Sequence, residues 1–203
     1  FSGVFSAKNV QDGKSLLKGK IGAKIADSSV TIYDDGLHPE GLNSAPFDDE
    51  GYPAQKTVLI ENGTLKSFLH NTITAAKDKT SSTGNASRDI RNPLTVGKTN
   101  LIFEPQDNSL KSMYDYSEKV VEIVSLQGLH SGANPISGDF SLSAEGFLYE
   151  KGQRIKSLNN FTLSGNFFQL LGNVLLVGND FLMSYNSCGA PSLLVDKLVI
   201  GSK

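Results

Sequence analysis

The sequence predicts an α+β fold, predominantly β, built as a single domain of many short strands and a few short helices. Two hairpin signals support this prediction: Asn62-Gly63 separates two apolar runs, and Lys151-Gly152 separates two alternating ones. A third observation is the strongly β-favouring run 192–200. No linker or shift of composition divides the 203 residues, so we expect one domain.

The other elements are predicted in chain order. A helix capped by Ser6 begins near Ala7, and Gly13 leaves open whether residues up to 22 form one helix or two short ones. The predicted strands are 30–33, 56–60, 64–69, 100–104, 119–126, 147–150 and 154–158. Residues 72–79 and 109–116 are expected to be short helices, and residues 81–88 a polar, flexible loop.

A further helix is predicted at Phe167. Its apolar residues recur at helical spacing on one face, and they are Phe167, Leu170, Leu171 and Val174. Asn166 is a suitable N-cap for this helix. We expect the helix to end near residues 172–173.

The composition excludes several classes of partner. Apolar residues make up 38% of the chain and charged residues 20%, as in globular domains. The formal net charge of −2 offers no general attraction to nucleic acid or anionic membranes. No apolar run approaches the roughly 18 residues of a transmembrane helix. We therefore expect no nucleic-acid partner and no membrane partner.

Residues that could bind metal or act as nucleophiles are scattered along the chain. His38, His70 and His130 form no His-x-x-x-His or His-Glu-x-x-His pair, which would place two ligands on one helix face. Cys188, the one cysteine, has no histidine nearby in sequence to act as its base. We predict no metal site and no catalytic residue within this chain.

Three adjacent carboxylates, Asp48, Asp49 and Glu50, precede Gly51. Like charges repel one another, so a turn exposed to water is the simpler interpretation. The functional alternative is that these groups bind a cation, or a basic or backbone group of a peptide.

Several longer motifs occur together in the second half of the chain. They are Gly138-Asp-Phe-Ser-Leu-Ser-Ala-Glu-Gly146, Leu163-Ser-Gly-Asn166, Val177-Gly-Asn-Asp180 and Ala190-Pro-Ser-Leu-Leu-Val-Asp196. With these motifs the chain resembles the C-terminal domain of the TldD/PmbA family, and more closely its PmbA (TldE) branch. The resemblance covers nearly the whole chain and implies a twisted or barrel-like sheet.

The resemblance also implies a function. The family is a cytoplasmic metallopeptidase system that degrades or matures unfolded peptides. In it, a zinc-bearing TldD-type subunit pairs with a PmbA-type subunit. The family also carries the older label of modulator of DNA gyrase. The zinc motif of the TldD branch lies before the point that matches Phe1, so zinc is expected in a TldD-type partner and no cofactor in this chain. Residues 1–203 would then be the C-terminal domain of a longer protein, which is also expected because the chain begins at Phe1 and not at Met.

The residues expected to line a peptide site belong to the same motifs and to two others that resemble the family's, 47–51 and 83–88. They are Asp48, Asp49, Glu50, Gly51, Asn85, Arg88, Asp139, Asn179 and Asp180.

Two alternatives remain open at this point. The protein could be an autonomous metallopeptidase, or a homodimer, with its metal site upstream of Phe1. It could also be a non-catalytic protein-interaction module of the gyrase-modulator type.

Overall fold

The structure, a computed structural model, describes residues 1–89, 91 and 93–201. The helices are a 3₁₀ turn (Ser2–Phe5), α1 (Ala7–Gln11), α2 (Thr72–Asp78), α3 (Leu110–Tyr114), α4 (Leu129–Gly132) and α5 (Phe167–Gly172). The strands are β1 (Ile32–Asp35), β2 (Lys56–Glu61), β3 (Thr64–Leu65), β4 (Ala86–Ser87), β5 (Thr95–Val96), β6 (Leu101–Phe103), β7 (Lys119–Gln127), β8 (Asp139–Glu150), β9 (Gln153–Asn166), β10 (Val174–Val177), β11 (Leu182–Met183), β12 (Cys188–Ala190), β13 (Leu193–Val195) and β14 (Val199–Gly201).

The larger sheet has six strands in the order β11-β12-β6-β1-β2-β3. Its pairs are antiparallel, except that β12 lies parallel to β6. Asn62 (φ 46°) and Gly63 (φ 79°) make the turn between β2 and β3, both in the left-handed region that a two-residue hairpin of this kind requires. This sheet packs on the larger hydrophobic core, which includes Phe5, Leu59 and Ile60.

The second sheet has four antiparallel strands in the order β14-β9-β8-β7. Its centre is the long hairpin of β8 and β9, which turns at Lys151 (φ 49°) and Gly152 (φ 76°). Alternate residues of β8, beginning with Phe140, are buried, because successive side chains of a strand point to opposite faces. They form a smaller core with β9, whose buried members are Phe140, Leu142, Ala144, Phe161 and Leu163.

Helix α5 connects the two cores. The Asn166 side chain caps it by accepting hydrogen bonds from the backbone N–H groups of Phe168 (3.0 Å) and Gln169 (3.3 Å). Leu171 is buried in the larger core, and Leu170 packs against both cores. Two-stranded pairs of β10 with β13 and of β4 with β5 complete the fold.

The predicted α+β, predominantly β class is confirmed, as are both glycine hairpins and the Asn166 cap. In the part of the chain that the structure describes, the sheets are open and none closes into a barrel. The first helix begins at Ala7 as predicted but ends at Gln11, and residues 12–22 form turns and no second helix. The 3₁₀ turn lies before Ser6, and the Ser6 side chain makes no capping hydrogen bond. None of the helices in the described residues is long and apolar enough to cross a membrane.

Three predictions were wrong in part. The run 192–200 is not one strand, because Lys197 (φ 62°) breaks it into β13 and β14, which belong to different sheets. The segment 81–88 is not a simple flexible loop, because Ser82, Thr83 and Asn85 are buried and hydrogen-bonded and part of it forms β4. The strand expected at 30–33 begins later, at Ile32.

Candidate functional site

A cleft of about 340 Å³ lies beside the larger sheet. Three segments line it: residues 43–54, residues 84–87, and the turn 97–99 before β6. Of the residues predicted from the sequence, Asp48, Asp49 and Asn85 lie in its wall. The structure therefore brings two separate predicted motifs, 47–51 and 83–88, to one place.

The Asp48 carboxylate stabilises this wall of the cleft by accepting backbone hydrogen bonds. Its Oδ1 accepts hydrogen bonds from the backbone N–H groups of Glu50 and Tyr52, both at 2.9 Å, which fixes the local turn. Its Oδ2 accepts from the N–H of Ala86 at 2.9 Å, and this bond ties the turn to β4. A carboxylate with several N–H donors is a strong and directional acceptor. Asp48 thus holds two walls of the cleft together.

The neighbouring acids make similar links. Asp49 Oδ2 accepts from the backbone N–H of Arg88 at 2.7 Å. Glu50 accepts from both the N–H (2.8 Å) and the Oγ1 hydroxyl (2.6 Å) of Thr72, the first residue of α2. Negative charge at this helix end is favoured, because the first N–H groups of a helix carry partial positive charge. Gly51 (φ 77°) closes the turn in the left-handed region.

Asn85 leads to a residue that the sequence reasoning missed. Its Nδ2 donates to Asp34 Oδ2 at 2.6 Å and to the Gly97 carbonyl at 3.1 Å. Asp34 lies on β1 with only 1% of its surface exposed. Thr99 donates to the same carboxylate through its N–H (2.9 Å) and its hydroxyl (2.7 Å). Asp34 therefore joins β1 to two of the three segments that line the cleft, 84–87 and 97–99.

Burial raises the pKa of the Asp34 carboxyl, although the hydrogen bonds from Thr99 and Asn85 oppose this effect. The sequence contains one signal for this residue, since Asp34 follows the alternating run Val30-Thr-Ile-Tyr33 in a position that faces the core. Asp34-Asp35-Gly36 also has the composition of a polar turn. This composition predicts an exposed Asp34, whereas the alternation of the strand predicts a buried one.

The remaining predicted residues lie outside this cleft wall. Asp139 is at the start of β8, where its Oδ1 accepts from Asn166 Nδ2 at 2.8 Å; this bond lowers the pKa of the exposed Asp139 carboxyl. Asp180 accepts from the N–H (2.9 Å) and hydroxyl (2.7 Å) of Ser192. Burial works to raise the pKa of Asp180, but these bonds outweigh it and the pKa is lowered. The N–H of Asn179 donates to the Asn108 carbonyl at 3.0 Å.

The donor groups do not fit a zinc site. A catalytic zinc needs about three protein ligands that converge on one point. Among residues 1–89, 91 and 93–201, no three His, Cys, Asp or Glu side chains come together in this way. His70 is buried, and burial lowers the pKa of its imidazole. Cys188 is half-buried on β12.

Comparison with known proteins finds a matching family model and similar proteins of the same family. A family model described as "PmbA/TldA metallopeptidase C-terminal domain" matches residues 1–202. A protein of Archaeoglobus fulgidus that bears the name metalloprotease is 35% identical over 197 residues, which cover 96% of this chain and 45% of that protein.

Two solved structures share the fold. One, from Thermotoga maritima, is described as a candidate modulator of a DNA gyrase; its TM-score is 0.91 at 41% identity, covering 98% of this chain and 45% of that one. The other is TldE from Thermococcus kodakarensis, with a TM-score of 0.89 at 32% identity and coverage of 98% and 46%. The chain thus spans less than half the length of each of these relatives.

Proposed function

The chain belongs to the PmbA/TldD metallopeptidase family, and from this premise we propose that it is the C-terminal domain of a PmbA/TldE-like subunit. The subunit would act in a cytoplasmic metallopeptidase complex that degrades or matures unfolded peptides. Its partner would be a zinc-bearing TldD-type subunit or, alternatively, a second copy of itself. In this complex the present chain would contribute dimerisation and peptide binding, without a zinc site of its own.

The observation that carries this proposal is the hydrogen bonding of the acidic motif. All three carboxylates of residues 48–50 accept hydrogen bonds from the chain's own N–H and hydroxyl groups at or beside the cleft. Carboxylates that accept these hydrogen bonds hold the walls of a binding cleft in position. The same bonds leave them poorly placed to coordinate a metal ion. The motif therefore fits a domain that shapes a peptide site, and it does not fit one that supplies the metal.

The other predicted residues have comparable positioning roles in this proposal. Asn85 links the cleft wall to Asp34. Asp139 and Asp180 hold the start of β8 and the segment after β10. None of these residues is assigned a proton transfer or a metal, and we derive no step of the reaction from this chain.

The test is cleavage of an unstructured peptide by the full-length protein, alone and mixed with a TldD-type partner, each with and without a metal chelator. We expect cleavage only in the mixture and complete loss of it with the chelator. Chelator-sensitive cleavage by the protein alone would contradict the assigned role and would favour an autonomous metallopeptidase.

The second candidate is a non-catalytic interaction module. It is favoured by the likeness to the Thermotoga maritima protein, whose description names a DNA gyrase. In that case the mixture would cleave no peptide, and the full-length protein would bind a protein partner with an affinity that changes little with salt.

A further inference from the structure

A second cavity, of about 470 Å³, shares no residue with the cleft described above. Its wall is formed by α1, residues 18–21, residues 66–70 and the end of α2. Sites for small molecules typically measure roughly 300–1,000 Å³, so this cavity has the size of one. The chemistry of its wall restricts what that molecule can be.

Two buried polar atoms belong to side chains in this wall and lack a partner. Gln11 Nε2 donates to the Thr74 carbonyl at 2.9 Å, and this bond fixes the orientation of the amide because a carbonyl oxygen only accepts. His70 is only 4% exposed. Within residues 1–89, 91 and 93–201, neither Gln11 Oε1 nor His70 Nδ1 makes a hydrogen bond. Buried polar atoms in folded proteins are rarely left in this state, so a bound molecule would gain by supplying the partners.

These two atoms require a ligand that donates hydrogen bonds. Gln11 Oε1 can only accept. Burial lowers the pKa of the His70 imidazole, although the charge of Asp78 opposes this effect, so the ring is neutral at neutral pH. In the tautomer that carries its proton on Nε2, Nδ1 then accepts as well. The Asp78 carboxylate lines the same cavity, and together the three groups suit an ammonium group and disfavour an anion.

Lys18 and Lys66 supply positive charge to the same wall. Lys18 is exposed, and Lys66 pairs with Glu61 at 3.0 Å through side chains that are 45% and 52% exposed. An exposed ion pair of this kind is weak, so Lys66 can readily exchange its partner. The two lysine ammonium groups suit a carboxylate on the ligand. A ligand that carries both charges is therefore better matched to the wall than one that carries either charge alone.

The wall also contains apolar side chains. Val10 and Phe68 are core residues, and both line the cavity. Ile21 lines it too, although it is 59% exposed. Covering such side chains with an apolar group is favourable in proportion to the area removed from water. The ligand should therefore carry an apolar group beside its two charges.

We propose that this cavity binds a free α-amino acid with an aliphatic or aromatic side chain. The α-ammonium group would donate to Gln11, His70 and Asp78. The α-carboxylate would accept from Lys18 and Lys66, and the side chain would cover the apolar part of the wall. This binding site does not depend on the proposed function. In the proposed peptide-degrading complex, such a ligand would be a product of the reaction.

The experiment is calorimetric titration of the full-length protein with leucine and with phenylalanine. Three further probes each lack one part of leucine: N-acetyl-leucine has no ammonium group, leucinamide has no carboxylate, and glycine has no apolar side chain. We expect leucine or phenylalanine to bind, and each of the three probes to bind at least about tenfold more weakly than leucine. The absence of binding by both amino acids, or equal binding of N-acetyl-leucine and leucine, would overturn the proposal.

Two substitutions at exposed positions test the charged groups without removing a core side chain. Lys18→Met should weaken leucine binding about tenfold and remove the preference for leucine over leucinamide. Asp78→Asn should weaken it similarly and reduce the preference for leucine over N-acetyl-leucine. Lys20→Met is the matched control, because Lys20 is exposed two residues from Lys18 but does not line the cavity. Equal effects of Lys18→Met and Lys20→Met would show that only overall charge matters and would contradict the site.

Nitrogen NMR of the histidine rings locates the ligand independently of these variants. Adding leucine should shift the Nδ1 resonance of His70, assigned by its loss in His70→Gln, and should leave those of His38 and His130 unchanged. A His70 resonance that stays constant while leucine binds would place the ligand elsewhere. The same constancy without leucine binding would mean that water alone supplies the missing partners, and either result overturns the proposal. The cleavage test of the proposed function is separate, because neither Lys18 nor Asp78 lies in the cleft.

Discussion

At the scale of single residues, the candidate site depends on carboxylates whose partners are far away in sequence. Asp48 reaches Ala86, and Asp34 reaches Asn85 and Thr99. Local patterns show that three adjacent acids repel one another, which predicts a turn in water. They cannot show that β4 and α2 supply N–H donors to those acids. The position of the motif was therefore recognisable from the sequence, whereas the way its oxygens are used was not.

Asp34 gives a prediction for pH dependence. Because burial raises its pKa, the folded state holds the proton more tightly than the unfolded chain does. This contribution to stability is complete below the unfolded pKa of about 4 and is lost as pH rises through the folded-state pKa. Asp34→Asn removes this titration. The variant is expected to be less stable, because its amide nitrogen would face donors, but the stability gap to the wild type should shrink as pH rises.

Urea denaturation across that pH range measures the gap. A gap that widens with pH would mean that the hydrogen bonds from Thr99 and Asn85 outweigh burial, and it would contradict the raised pKa.

At the scale of elements, local turn chemistry made the hairpins predictable. Gly63 adopts φ 79°, and a Cβ built there would lie 2.4 Å from the Ala26 carbonyl oxygen and 2.6 Å from that of Asp27. Gly63→Ala should therefore cost both the strain of a left-handed alanine and a backbone displacement, together roughly 3 kcal/mol. The free energy of unfolding in urea measures this loss.

Gly13 provides the matched control for that substitution. It has nearly the same backbone angle, φ 72°, but no atom lies within 4 Å of the position that a Cβ would take there. Gly13→Ala should cost about 1 kcal/mol, the conformational strain alone. Equal losses at the two positions would show that the close approach of residues 26–27 to the β2–β3 turn does not matter for stability.

The sequence could not predict the elements whose structure depends on which distant segment they pair with. The run 192–200 favours strand throughout, but β propensity does not specify the neighbouring strand. In the structure β13 pairs with β10, and β14 pairs with β9. The segment 81–88 contains the turn-forming residues of a flexible loop, yet it is buried by contacts with His70 and Asp48, which lie outside the segment. Tertiary contacts decided both cases.

At the scale of the whole molecule, two cores share one helix. The larger core supports the six-stranded sheet, and the smaller one lies against the long β8–β9 hairpin. Leu170 of α5 packs against both. Because neither core is isolated from the other, we expect the wild-type protein to unfold in a single cooperative transition, as small domains usually do.

Leu170→Ala tests this coupling. Removing the side chain should cost about 2 kcal/mol, at the lower end for buried leucines because Leu170 is only partly buried. The smaller core has fewer buried side chains, so the four-stranded sheet should lose more of its protection than the six-stranded one. Hydrogen exchange would then show the amides of β8 opening at a lower free energy than those of β2. Leu175→Ala, at a more exposed position on β10, should leave the hydrogen-exchange protection of both sheets as it is in the wild type. An equal decrease in both sheets after Leu170→Ala would mean that other contacts join the cores, and that α5 is only one of several links.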